Sequence, residues 1–502
     1  MRSKKAFKNM LALVIWQLVS ISCGFIIPKI LITTFGSNIN GLVTSITQFL
    51  AYISFMDLGV GAVVKSSLYK PIAENNNRKI ENILAASEHF FKTIAKIFII
   101  YVIVLSVVYP LFVKAEFDYI FTFSLIIIIA ISSFAEYYFG ITYRLFLQAD
   151  QRTYVISIIQ IFTTILNVII TIVLAKLGTN IIVLKLFSSF VYILRPILQN
   201  IYVKKKYKIK LENADSNYKL EQKWDGLAQH IAAVIHGNTD IVVLTIFTNV
   251  LEVSVYSVYA LVTNGLKRLM EAICNGIDAS FGNMIAKNEI ETLNKNFNMY
   301  EIVYLSLITI IYACTFVLIV PFVSVYTYGI NDVNYIRPLF AYLIVLSEYV
   351  YAIRVPYNSL ALVAGHFKET RNGAWIETII NLGLSIILVF KFGIVGVAIG
   401  TLLAMIIRAI EFINHSSKKI LNRKSIVAWK KIIISFIEFL IITIISLLII
   451  KNIEFVNYKV WIIYAIVIFL IATFITGIIN WVVYKKYKEE LKNVLKKIIK
   501  RS

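Results

Sequence analysis

The chain has 502 residues, of which 59% are hydrophobic and only 16% are charged. Soluble domains are about 45–50% apolar and about 25% charged, so this composition excludes an ordinary soluble fold. The formal net charge is +22, but the basic residues form short clusters between apolar segments and not one basic patch. That distribution is typical of the cytoplasmic loops of a membrane protein and argues against nucleic acid as a partner.

The predicted elements are apolar stretches of about 20 residues, the length that crosses a hydrocarbon core of about 30 Å. They predict an all-α polytopic membrane protein. Spans two and eight are rich in Ser, Thr, Asn and Gly, which suits helices that face a water-filled cavity or pack closely. The fourteen predicted spans, in chain order, are 10–33, 41–64, 93–113, 119–147, 154–175, 180–203, 226–248, 252–280, 299–325, 335–360, 373–391, 393–415, 431–450 and 459–484.

Basic residues are distributed very unequally between the two sides of the membrane. With the N-terminus inside, the internal segments hold 41 of the 50 Lys and Arg residues. This bias predicts that both termini are cytoplasmic. The basic start, Met1 to Lys8, leads into an apolar stretch without a cleavage site and is predicted to precede a retained first span. The amphipathic segments 70–92 and 485–501 are predicted to lie on the inner surface.

The longest charged break falls after span six and suggests two lobes of six spans each. We predict an N-lobe at 1–203, a cytoplasmic linker at 204–225, a C-lobe at 226–415, two appended spans within 416–484, and a basic cytoplasmic tail at 485–502.

The two lobes contain similar sequences at 148–178 and 365–393. In each, an Arg-containing internal loop leads to a span with a central Asn, then to a Lys-x-Gly external turn. The return span carries Arg195 in the first copy and Arg408 in the second. Six spans per unit give the copies the same orientation, as in transporters whose parallel repeats are related by an axis along the membrane normal.

Residues 35–80 read FGSNINGLVTSITQFLAYISFMDLGVGAVVKSSLYKPIAENNNRKI. The Gly-x-x-x-x-Gly-Leu turn, the Asp57-Leu58-Gly59 element and the Leu-Tyr-Lys-Pro segment ending at Pro71 resemble the Wzx-like polysaccharide flippases of the multidrug, oligosaccharidyl-lipid and polysaccharide exporter superfamily. A second match is YRLFLQADQ at 143–151. The family commonly has a basic residue near the outer end of span one, where this chain has Pro28 followed by Lys29.

The resemblance implies a flippase of the bacterial cell membrane. It would move a polyprenyl-diphosphate-linked oligosaccharide, a capsule, O-antigen, exopolysaccharide or teichuronic-type repeat unit, from the cytoplasmic to the outer leaflet by alternating access. Its partners would be the lipid-linked sugar, membrane lipids, and a polymerase and glycosyltransferases of the same pathway. Charged diphosphate and sugar need a polar, partly cationic path through hydrocarbon, because each buried charge costs several kcal/mol.

Ionisable residues at membrane depth are the candidate functional residues, because an unpaired charge there is costly. Lys267 and Arg268 on span eight suit a diphosphate, although Lys267 and Glu271, four residues apart, also fit a simple helix-surface pair. Glu377, Lys65 and Glu136 are further candidates. The predicted cationic cavity comprises Lys267, Arg268, Lys29, Arg144 and Arg354. The predicted ion-coupling residues are Asp57, His236, Asp240, Glu271 and Glu348, although His236 and Asp240 fit a hydrogen-bonded pair between helices better than a proton-coupling site.

Two other functions remain open at this stage. A drug/cation antiporter of the same superfamily would have a cavity dominated by acidic residues. A membrane enzyme, such as a polysaccharide polymerase or an acyltransferase, usually needs a large catalytic loop, whereas the breaks between these spans reach only about 25 residues. We find no P-loop, no nucleophile elbow and no His/Cys metal cluster, and Cys23, Cys274 and Cys314 all lie in apolar segments. The sequence thus predicts a carrier without enzyme activity, cofactor or metal.

Overall fold

Helices account for all regular secondary structure in the described part of the chain, residues 2–207, 209 and 238–484 of a computed structural model. The predicted all-α fold of a multi-pass membrane protein is confirmed. The helices up to the second half of the chain are α1 Arg2–Phe35, α2 Ser37–Ala51, α3 Phe55–Ala73, α4 Asn77–Val113, α5 Tyr119–Ala135, α6 Ile141–Ala149, α7 Thr153–Lys176, α8 Ile181–Tyr207 and α9 Asn238–Phe247. The remaining helices are α10 Val250–Ala286, α11 Ile290–Tyr326, α12 Pro338–Val363, α13 Phe367–Phe392, α14 Ile394–His415, α15 Ile426–Ile450 and α16 Tyr458–Val483.

Eleven helical segments among the described residues are long and apolar enough to cross a membrane. Three of the fourteen predicted spans are not among them. The span at 41–64 is divided into α2 and α3 by a 3₁₀ turn, Tyr52–Ser54. The span at 226–248 lies mostly outside the described residues, and the span at 252–280 falls in the more polar helix α10. Residues 77–92 continue into α4 without a break, so their predicted position on the inner surface stays a prediction.

The two Lys-x-Gly turns that the sequence predicts to be external have the same backbone feature. Gly178 follows α7 with φ of 69°, and Gly393 follows α13 with φ of 55°. Both values lie in the left-handed region, where a side chain is disfavoured and glycine is not. The Lys-x-Gly sequences therefore end the two helices in a similar way.

A π-helical turn, Glu136–Gly140, joins α5 to α6. Such a turn adds a residue to the helix and changes which side chains share a face. Gly140 lies within it, and a Cβ atom there would approach Glu136 Oε2 to 2.9 Å and Pro196 Cβ to 3.1 Å. A glycine at this position allows α8 to approach the turn closely.

The contacts divide the chain into two compact units, Met1–Ser257 and Val258–Ser502. The predicted linker at 204–225 lies almost wholly outside the described residues, so the predicted lobe boundaries stay predictions. In the first unit, α1 packs on α7, and the buried core includes Leu42, Ile83 and Phe146. In the second unit, α11 packs against α12 and against the two appended helices α15 and α16, with Tyr349 stacked on Phe439 at 4.8 Å between ring centroids.

Candidate functional site

Charged side chains from four helices of the second unit meet in one place, which we call the second-unit charge cluster. Four of the predicted site residues belong to it, all of them on α10 and α12, and the sequence had assigned two to the cationic cavity and two to ion coupling. The cluster consists of Lys267 and Glu271 on α10, Glu348, Tyr351 and Arg354 on α12, Glu377 on α13, and Arg408 on α14.

Two arginines hold the carboxylate of Glu377. Arg354 Nη1 lies 2.5 Å from Glu377 Oε1, and Arg408 Nε lies 3.3 Å from Oε2. All three side chains are at most 9% exposed. Arg408 also donates from Nη1 to Glu411 Oε2 at 2.5 Å and to the carbonyl of Thr370 at 2.9 Å. The charge of Arg354, which we predicted to line a cationic cavity, is thus already balanced by Glu377.

Lys267 is placed differently from the arginines. Its ammonium lies 4.1 Å from the centroid of the Tyr351 ring, and the Arg354 guanidinium lies 4.6 Å from the same centroid. The Tyr351 hydroxyl donates a hydrogen bond to Glu271 Oε1. No carboxylate in the described part of the chain forms an ion pair with Lys267. Tyr351 therefore bridges Lys267 and Glu271, and the lysine keeps its charge available for an anionic ligand.

Glu348 is a half-buried carboxylate of this cluster. Lys267, Arg354 and Glu271 all lie within electrostatic range of it. Its Oε2 is buried and has no hydrogen-bond partner among the described residues. A buried, unsatisfied carboxylate oxygen is expensive, so this position is suited to a proton or to a cation.

The remaining predicted site residues have other surroundings or lie outside the described residues. Arg268 is exposed, and Lys29 is half-buried in α1. Asp240 accepts a hydrogen bond of 3.0 Å from the Tyr256 hydroxyl. The predicted pairing of His236 with Asp240 lies outside the described residues, as does the side chain of Asp57.

Arg144 lies in the first unit, at a cavity of about 290 Å³. Its Nη1 is 2.8 Å from Glu136 Oε1. The two residues thus pair with each other across the π-helical turn. The cavity is lined by Ser132, Ser133, Glu136, Tyr137, Ile141, Arg144, Gln160, Tyr192, Arg195 and Gln199.

Arg195 on α8 is the second basic residue of this cavity. Its Nε donates to Thr163 Oγ1 and its Nη2 donates to Thr164 Oγ1, both at 2.9 Å. Both accepting hydroxyls are on α7. The guanidinium also lies 4.3 Å from the centroid of the Tyr192 ring. In contrast to Arg408, the arginine of the second repeat, its hydrogen bonds go to neutral groups.

The central asparagines of the two repeats make corresponding contacts. Asn167 on α7 donates to the Tyr192 hydroxyl of α8 at 3.0 Å. Asn381 on α13 donates to Thr401 Oγ1 of α14 at 2.9 Å. In both asparagines Oδ1 is buried and lacks a partner in the described structure. The helix pairs α7–α8 and α13–α14 thus share their local architecture, as the repeat in the sequence indicates.

Sequence reasoning missed a second buried network, which ties α15 to α11. Glu301 accepts hydrogen bonds from Arg423 Nη2 at 2.7 Å, from Lys431 Nζ and from the Tyr357 hydroxyl. Glu301 is 1% exposed. The two cations exceed the one carboxylate by one charge. The signal for this network in the sequence was Glu301 itself, the one charged residue of the predicted span 299–325, because its partners are more than 50 residues away.

The fold is that of known membrane transporters, although no family model and no curated protein matches the sequence. The lipid II flippase MurJ, in an inward closed conformation, aligns with a TM-score of 0.68 at 15% identity, over 96% of this chain and 99% of that one. An inward-facing multidrug resistance MATE family transporter of the MOP superfamily aligns with a TM-score of 0.62 at 11% identity, over 79% and 92%. The Vibrio cholerae MATE transporter VcmN aligns with a TM-score of 0.56 at 14% identity, over 85% and 98%. The chain therefore shares the helical fold of MATE transporters and of the flippase MurJ.

Proposed function

We propose that this protein is a flippase that moves a polyprenyl-diphosphate-linked oligosaccharide from the cytoplasmic to the outer leaflet by alternating access between two lobes. The observation that carries the proposal is the extent of the structural likeness to MurJ. The alignment with MurJ leaves about 20 residues of this chain unmatched. That number is smaller than the 25 residues of α15 or the 26 residues of α16, so neither helix lies wholly outside the alignment. The inward-facing MATE family transporter, with its TM-score of 0.62, aligns with only 79% of the chain.

The second-unit charge cluster supplies the chemistry that such a substrate needs. A diphosphate group requires cationic hydrogen-bond donors where water is scarce, and Lys267 has an ammonium that no described carboxylate pairs with. In this proposal Lys267 contacts the diphosphate, while Arg354 and Arg408 hold Glu377 and so keep α12, α13 and α14 in register. The lipid tail stays in the bilayer, so that only the polar headgroup passes through the protein.

The proposal includes the cellular setting that the sequence predicts. The protein would lie in a bacterial cell membrane with both termini in the cytoplasm, where glycosyltransferases build the substrate. A polymerase of the same pathway would use the flipped product. The reaction is a translocation and needs no catalytic residue, in agreement with the transporters that share the fold.

Flipping can be measured in liposomes that contain a fluorescent polyprenyl-diphosphate oligosaccharide, by its exposure to an external quencher. We expect Lys267→Ala/Arg268→Ala to lower the flipping rate by about 10- to 100-fold, since one charged hydrogen bond contributes about 1.5–3 kcal/mol. Lys267→Arg should retain most of the rate. The matched control is Lys70→Ala, because the Lys70 side chain is 79% exposed and its ion pair with Glu74 is at the surface. Equal rates in the wild type and the double variant would remove Lys267 from the proposed path.

A second candidate function, an ion-coupled drug/cation antiporter, is favoured by one observation. Glu348 presents a buried oxygen without a partner in the described structure, beside a second carboxylate, Glu271. The same liposomes distinguish the two functions. Uptake of a lipophilic cation driven by an imposed pH gradient, abolished in Glu348→Gln and accompanied by no lipid flipping in the wild type, would establish the antiporter.

A further inference from the structure

The arginines of the two repeats have different neighbours at one corresponding position. Arg408 of α14 directs its Nε to the carboxylate of Glu377 on α13. Arg195 of α8 directs its Nε to the hydroxyl of Thr163 on α7. Glu377 and Thr163 each lie four residues before the central asparagine of their helix, Asn381 and Asn167. Thus the first unit has a neutral side chain where the second unit has a counter-charge.

This difference leaves an excess positive charge in the first unit. Arg144 is paired with Glu136 at 2.8 Å, whereas Arg195 donates to two hydroxyls and lies over an aromatic ring. The two guanidinium groups and the one carboxylate that line the cavity therefore sum to +1. Arg195 is only partly exposed, and the carboxylate within electrostatic range of it, Glu136, is the one already paired with Arg144, so a bound anion would balance the remaining charge.

The cavity next to Arg195 can admit such an anion. Its volume of about 290 Å³ is at the lower end of small-molecule sites, about 300–1,000 Å³, and suits one sugar ring but not a whole oligosaccharide. Gln199 lines it, is 1% exposed, and has an Oε1 without a hydrogen-bond partner among the described residues. This acceptor oxygen is suited to a sugar hydroxyl. Gln160 and Ser133 supply further polar groups on the cavity wall.

We propose that the first-unit cavity is a subsite for a sugar that carries one carboxylate, a uronic acid of the transported oligosaccharide, with Arg195 binding the carboxylate and Gln199 a ring hydroxyl. The inference rests on the proposed flippase function and adds the class of its substrate. A singly charged carboxylate balances the excess of one charge. A diphosphate would overcompensate it, which assigns the diphosphate to a different place.

The test is ligand binding to the purified full-length protein in detergent, without any transport step. Sodium glucuronate, glucose and glucose 1-phosphate are titrated separately at equal ionic strength, and binding is followed by saturation-transfer NMR. A free monosaccharide of about 13 non-hydrogen atoms is expected to bind with a Kd in the millimolar range. We expect glucuronate to bind at least about tenfold more tightly than glucose, because only glucuronate makes the charged hydrogen bonds to Arg195.

The decisive variant is Thr163→Glu, which gives the first repeat the carboxylate found in the second. It should pair with Arg195 and weaken glucuronate binding at least about tenfold. Thr163→Gln is the matched control, since it has the same size without the charge, and it should weaken binding much less. Thermal unfolding of both variants, with midpoints close to that of the wild type, shows that they are folded.

Three results would overturn the inference. Glucose could bind as tightly as glucuronate, Thr163→Glu could bind glucuronate like the wild type, or both substitutions could weaken it equally. Preferential binding of glucose 1-phosphate would assign the cavity to a phosphate and also reject the uronic acid. None of these results affects the flippase proposal, because flipping of a lipid-linked neutral oligosaccharide in liposomes is measured independently. Failure of that assay with every substrate, with glucuronate binding intact, would reject the flippase and leave the anion site.

Discussion

Removal of the charge on Glu377 is the most direct test of the second-unit charge cluster. Glu377→Gln retains the shape of the side chain but takes away the counter-charge of two buried arginines. Arg408 keeps Glu411 at 2.5 Å and the Thr370 carbonyl at 2.9 Å. Arg354 loses more by the substitution, because Glu377 is its ion-pair partner. The Nε of Arg354 already has no hydrogen bond to any described residue.

The expected magnitude follows from the burial of the pair. The side chains of Arg354 and Glu377 are each 9% exposed, and Arg354 Nη1 lies 2.5 Å from Glu377 Oε1. Loss of one partner from a buried ion pair typically costs about 3–5 kcal/mol, because the remaining charge is left uncompensated. Arg354→Met should cost less, since Glu377 then keeps Arg408 and no charge is left alone. The double variant should be more stable than Glu377→Gln alone, by at least about 1 kcal/mol, because it removes the orphaned cation.

The free energies of unfolding are measured by denaturant titration in detergent micelles. The matched control is Glu74→Gln, because the Lys70–Glu74 pair is highly exposed, with side chains 79% and 51% accessible, and should contribute less than about 1 kcal/mol. A Glu377→Gln variant as stable as this control would refute the counter-charge role of Glu377. Strict additivity of the two single substitutions in the double variant would refute the coupling between Arg354 and Glu377.

Two further pairs of substitutions test charge and packing elsewhere. Glu301→Gln leaves two buried cations without a carboxylate and should lower the free energy of unfolding by about 3–5 kcal/mol. Lys431→Met leaves a balanced pair and should lower it clearly less in the same denaturant titration. The reverse order would contradict this charge count. Gly41→Ala puts a Cβ 1.8 Å from the Val250 carbonyl oxygen and should cost several kcal/mol or prevent folding. The control Gly24→Ala meets no atom within 4 Å and should stabilise its helix by about 0.5–1 kcal/mol. Equal yields and stabilities of the two variants would contradict the close approach at Gly41.

Much of the fold follows from the sequence because a membrane imposes simple rules. A stretch of about 20 apolar residues must be helical to satisfy its backbone hydrogen bonds in hydrocarbon, so α15 and α16 were predictable from composition alone. The break in span two was harder to predict from the sequence. The 3₁₀ turn at Tyr52–Ser54 divides this polar span, and no proline or charged cluster marks the position.

The candidate site was only partly predictable, because charges can be found in a sequence but their partners cannot. Lys267, Glu271, Glu348 and Arg354 were identified by their occurrence within apolar spans. Their arrangement depends on Tyr351, an aromatic residue that is unremarkable among 29 tyrosines and yet contacts both cations. Its contacts with Lys267 and Glu271 are between different helices, which sequence periodicity does not describe.

The internal repeat gives information that neither copy contains alone. A buried arginine within a helix, taken singly, is read as a structural charge, and Arg408 in its ion pairs with Glu377 and Glu411 fits that description. Arg195 occupies the corresponding helix with the corresponding asparagine contact nearby, but has Thr163 in place of a carboxylate. If both arginines served stability only, the same selection for charge balance would apply to both. The loss of balance in one copy, beside a cavity with an unsatisfied amide oxygen on Gln199, is the pattern expected when the missing charge is brought by a ligand.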